Sequence, residues 1–111
     1  MFVSYHLWLL QADRDLKSAE SAFFDGDERS CSLIARQASE KALWAYYIKL
    51  TGNLPSGSHG VTELVEFLKL DELKELMDKS SAEYAAAQLK PAERSLKLAK
   101  KIIEWVEWKL Q

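Results

Sequence analysis

Ala35-Arg36-Gln37-Ala38-Ser39-Glu40-Lys41-Ala42-Leu43-Trp44-Ala45-Tyr46-Tyr47 is the stretch that decides the fold. Its alanines, Ala35, Ala38, Ala42 and Ala45, recur at spacings of three, four and three. That is the helical period, and it places all four on one face. No long side chain on that face holds a neighbouring backbone away, so a second helix can approach closely. Leu43, Tyr46, Tyr47 and Leu50 form another row beside the seam. A helix apolar over so much of its circumference belongs at the centre of a fold, touched on two sides. Glu40 and Lys41 interrupt the apolar surface with adjacent charges.

Outward from this helix the same period recurs. Trp8, Ala12, Leu16, Ala19 and Phe23 give a stripe on a first helix over about Val3 to Phe24. Gly26 is suited to end it, and Asp27 to cap the central helix, expected over about Glu28 to Leu50. Thr51 to Ser58 concentrates glycine, proline and serine and reads as the longest loop. Val61, Leu64, Val65 and Leu68 predict a short amphipathic helix, and Leu73, Leu76 and Met77 another, entered at Asp71. Asp78 to Lys90 is ambiguous: Ala82, Ala85, Ala86 and Ala87 favour helix, without a strong apolar stripe. Pro91 suits the first position of a last helix. Leu96, Ala99, Ile103, Val106 and Leu110 give its stripe, with Leu98, Ile102 and Trp105 as a second row. No segment alternates in the manner of a strand. The expected fold is all-α, a single domain over 1–111: an up-and-down antiparallel bundle of three long helices plus one or two short ones. Trp8, Leu16, Ala38, Ala42, Leu64, Ile103 and Val106 are expected to share one core.

Composition sets outer limits. A chain of 111 residues argues for one domain, large enough to bury roughly two thirds of its unfolded surface. The net charge of −2 supplies no global field toward nucleic acid or an anionic membrane. One cysteine, Cys31, excludes an internal disulfide framework and a cysteine-rich zinc site. No apolar run approaches the roughly 18 residues of a membrane span, and no basic stretch precedes an apolar one at the N-terminus. A cytoplasmic location without membrane association is the expectation.

Two stretches resemble the HEPN family of small helical "higher eukaryote and prokaryote nucleotide-binding" domains. Trp8, Ala12, Asp15, Leu16 and Ala19 are similar to that family's first helix, and Gln37, Ala38, Glu40, Lys41, Ala42 and Leu43 to its second. His59, after the long loop, is also placed as in the family. The likeness spans about Trp8 to Leu68 and, more weakly, the last helix. It implies a helical bundle that dimerises, binds a nucleotide, and pairs with a nucleotidyltransferase-fold protein in a toxin–antitoxin setting. This chain departs from the family at Trp44, where a second lysine is common. Ribonuclease members carry an arginine, then four to six residues, then a histidine. Here the histidines are His6 and His59, and the positions before His59 that the spacing requires are Gly52, Asn53 and Leu54. The ribonuclease motif is absent.

Several side chains qualify as site residues. Asp15, Arg36, Glu40 and Lys41 would form a polar cluster between the first two helices, able to grip a nucleotide or to serve as structural ion pairs; structure is the favoured reading. His59 has the pKa range of a general base but no activated partner nearby, which favours a helix-entry or packing role. Lys90, Arg94, Lys97 and Lys101 line one stripe of the last helix, suited to phosphates or simply to solvent. Trp105 and Trp108 are candidates for a homodimer interface, with core packing as the alternative. Cys31 reads as a small buried apolar residue. No glycine-rich phosphate loop and no metal-spaced cluster is present, so neither cofactor nor metal is expected. The leading reading is a dimeric binding module without catalysis, more fitting than an enzyme. Its rivals are a HEPN-type ribonuclease toxin working without the usual motif, and a purely structural interaction module.

Overall fold

A computed structural model describes residues 4–53 and 60–111. Val3, most of the long loop and His59 lie outside the described residues. Within them five helices form: α1 Tyr5–Phe24, α2 Glu28–Thr51, α3 Val61–Phe67, α4 Asp71–Ala86 and α5 Pro91–Lys109.

The α1–α2 turn follows from its residues. Gly26 sits at φ 81°, the left-handed region where a side chain is strained. Its N–H reaches Phe23 O, and the Asp27 N–H reaches Ala22 O, so the end of α1 is sealed by backbone. Asp27 then caps α2, its carboxylate accepting from the Ser30 N–H at 3.1 Å. Hydrogen bonding from Ser30, its side chain first and then its backbone N–H, holds the Asp27 carboxyl below its usual range. So short a turn makes the two helices antiparallel. Ala12 and Ala19 of α1 and Ala35, Ala38, Ala42 and Ala45 of α2 are all fully buried.

The central place expected for α2 is observed, with α1 on one side and α5 on the other. The Cys31 thiol donates to Ala92 O at the start of α5, and Tyr46 meets the Trp105 ring near its end. Helices α2 and α5 therefore run in the same direction. Lys101 reaches back to Ser80, and Lys109 to Glu72, so α4 runs against α5. The long helices thus alternate in direction. Ala38, Ala42, Leu43, Leu64, Leu73, Ile103 and Val106 lie in the main core. A smaller cluster of Ala19, Cys31, Ala35, Ala92 and Ala99 closes the opposite end.

Two features differ from the sequence reading. The ambiguous segment is helical, and α4 is one 16-residue helix. Its inward row contains a serine, Ser80, buried to 1% and bonded by Lys101, where a stripe search expects an apolar residue. The alanines beyond it are strong helix formers and carry the helix onward. Trp8 and Leu16 are half-buried instead of buried. The small residues of the seam leave no room for Trp8 between α1 and α2, and its ring packs at the edge, against Trp44 at 4.9 Å.

Candidate functional site

The four charged residues expected to cluster divide between two sides of α2. Lys41 Nζ meets Asp15 Oδ2 at 2.7 Å, across the α1–α2 seam, with side chains 27% and 22% exposed. The ammonium is the contact of that enclosed carboxylate oxygen, so this pair is already satisfied within the chain. Arg36 stands five residues before Lys41, roughly 140° around the helix at 3.6 residues per turn, and faces elsewhere. It lies at a cleft of about 630 Å³. Ser32, Arg36 and Ser39 of α2, the start of α3, Met77 of α4 and the first half of α5 enclose that cleft.

Val61, Leu98 and Ile102 give the cleft apolar lining, and Glu63 at the start of α3 adds a carboxylate. Ser32, Thr62 and Ser95 add hydroxyls around it, and Arg36 adds a guanidinium. The Ser39 hydroxyl donates to Ala35 O at 3.2 Å, leaving its lone pairs as acceptors. Glu40, one turn along from Arg36, has its carboxyl pushed up by burial and pulled back by that guanidinium. Such a surface suits a ligand with a flat apolar part and an anionic end.

Beside the cleft runs an outer stripe of α2. Leu33, Gln37, Glu40 and Trp44 follow at spacings of four, three and four. Leu33 is 48% exposed, and Phe67, packed on Tyr47 at 5.9 Å, is 69% exposed. Leu33 and Gln37 of this stripe are exposed, Glu40 is half-buried, and Trp44 packs edge-on against Trp8 of α1.

The basic stripe of α5 is divided among partners in its own chain. Lys90 pairs with Glu28 at 3.3 Å, and Arg94 Nε donates to Leu89 O at 2.6 Å. Lys101 donates to Ser80 at 3.1 Å and lies over the Tyr84 ring. Lys97 is exposed beside a groove between α1 and α5 that also holds Glu20 and Glu93. Trp105 is buried and serves the core, whereas Trp108 is 59% exposed. Lys109 covers the Trp108 ring at 4.7 Å. The Cys31 thiol is fully buried, and burial raises its pKa, which makes it a poor nucleophile.

One contact had no signal in the sequence. Glu107 of α5 meets Asp13 of α1, and its carboxyl is pushed up, first by burial, then by Asp13 and Glu104. Nothing in the linear pattern relates these positions; they meet because α1 and α5 run in opposite directions.

Among the described residues no three histidine, cysteine or acidic side chains are placed to hold a metal ion. No described helix is long and apolar enough to cross a membrane. No curated protein and no solved structure matches the chain. The family model of the HEPN domain does, over residues 5–109. That match runs from the first turn of α1 to the last of α5 and includes the seam, the cleft and the outer stripe: the chain belongs to the HEPN domain family.

Proposed function

We propose that this chain is a non-catalytic HEPN binding module that works as a homodimer in the cytoplasm and takes a nucleotide in the cleft between α2, α3 and α5. The cleft itself carries the reading: its lining combines Arg36, the hydroxyls of Ser32, Thr62 and Ser95, and apolar Val61, Leu98 and Ile102. The guanidinium would hold a phosphate, and the base would lie against the apolar lining. The family likeness supports a nucleotidyltransferase-fold protein as partner. Asp15 and Lys41 are assigned a structural role, since each already has the other.

Calorimetric titration with AMP and ATP, with inorganic phosphate as control, tests the cleft. Arg36→Ala should weaken nucleotide binding about tenfold or more, the effect of losing one charge-assisted hydrogen bond. Absence of binding to the wild-type chain would remove the nucleotide reading. Non-catalysis has its own check. Pure protein should leave RNA intact, because the arginine–histidine pair of the ribonuclease motif is missing and such acid–base groups contribute factors of about 10² to 10⁴. RNA cleavage abolished by His59→Ala would contradict it.

A further inference from the structure

The cleft between α2, α3 and α5 has a polar end and an apolar end, and the register of α2 on α5 orders them. Cys31 meets Ala92 and Tyr46 meets Trp105, so Arg36 lies level with Ser95, and Ser39 with Leu98. Ser32, Arg36 and Ser95 therefore gather toward the starts of both helices. Leu98, Ile102 and Met77 follow further along. From Ser95 to Ile102 is seven residues, about 10 Å of α5 at 1.5 Å per residue.

We infer that the cleft takes a nucleoside with a single phosphate and discriminates against the triphosphate. The phosphate lies at the Arg36–Ser95 end and the base against Leu98, Ile102 and Met77. The inference rests on the nucleotide reading above and specifies which nucleotide binds and which way round it lies. The ground is charge. Among the described residues, Arg36 is the one cationic side chain lining the cleft, and Glu63 sets a carboxylate in the same lining. A guanidinium holds one phosphate through paired N–H donors. Each further phosphate would bring negative charge beside a carboxylate, with no second cation of the lining to meet it.

The charge of Arg36 is also shared. Glu40, one turn along, already draws on it: burial pushes that carboxyl up, and the guanidinium pulls it back. Neighbouring cations are held by their own chain. Lys41 meets Asp15 at 2.7 Å, and Lys90 meets Glu28 at 3.3 Å. Arg94 Nε donates to Leu89 O, and Lys101 donates to Ser80. These contacts also disfavour an RNA strand, whose successive phosphates need a row of cations to follow.

Calorimetric titration of the wild-type chain with adenosine, AMP and ATP, magnesium present, tests the assignment. AMP should bind about tenfold or more tighter than adenosine, the effect of one charge-assisted contact. ATP should bind no tighter than AMP. Arg36→Ala should reduce AMP to the level of adenosine, with adenosine binding and the circular dichroism unchanged. Arg36→Lys, which keeps the charge, should retain part of the preference. Raised salt should weaken AMP and leave adenosine as it was. ATP binding about tenfold tighter than AMP would overturn the inference and leave the nucleotide reading standing. A short RNA with a terminal phosphate, bound far more tightly than AMP, would overturn it too. Equal binding of AMP and adenosine would remove the phosphate from Arg36. Absence of binding to all three would remove both the inference and the nucleotide reading.

Discussion

Helix α2 has two opposed faces that differ in kind. Toward α1 it offers Ala35, Ala38, Ala42 and Ala45, all fully buried and small enough for close approach of backbones. Outward it offers Leu33, Gln37, Glu40 and Trp44, larger and in part charged, with Leu33 and Gln37 exposed and only Trp44 touched by a ring of α1. The period is the same on both; only side-chain size and charge differ. A small, uniform row packs within its own chain. A row of mixed size and charge stays largely at the surface.

That contrast breaks if the two faces respond alike to substitution. Ala42→Leu inserts three carbons where there is no space and should cost about 1 to 3 kcal/mol in chemical denaturation. Leu33→Ala, at a position 48% exposed, should change stability by less than about 0.5 kcal/mol. Equal losses would mean that Leu33 is core.

The edges of the seam sharpen the comparison. Removing the half-buried Asp15–Lys41 pair with Asp15→Ala should cost about 1 kcal/mol, more than an exposed pair and less than the seam. Gln88 holds φ 58° just past the end of α4, in a conformation that glycine adopts freely. Gln88→Gly should therefore raise stability, by about 0.5 to 1 kcal/mol. Glu107 gives the smallest effect. Its folded-state pKa is raised, so the folded chain holds a proton that the unfolded chain releases. Stability is greatest below the unfolded-state pKa and declines as pH rises through the folded-state pKa. Glu107→Gln should remove that decline and be slightly more stable than wild type at neutral pH, by well under about 1 kcal/mol given the partial exposure.

The seam was legible because alanine spacing is a local signal, and so were the turn at Gly26 and the start of α5 at Pro91. The family likeness was carried by Gln37 to Leu43, within the same helix. The extent of α4 was not legible, since its buried Ser80 depends on Lys101, twenty-one residues away. The polar quartet was legible only as four residues. The sequence could not show that Asp15 takes Lys41 and leaves Arg36 at the cleft, because that depends on which side α1 and α3 each occupy. Trp105 and Trp108 looked equivalent; burial separates them.

The most direct test is a nuclear magnetic resonance titration of the isotopically labelled chain with ATP. The account expects the amides of Arg36, Val61, Ser95 and Leu98 around the cleft to shift together, with those of Asp15 and Lys41 unmoved. Shifts confined to Lys97 and Lys101 on α5, or none at all, would contradict it.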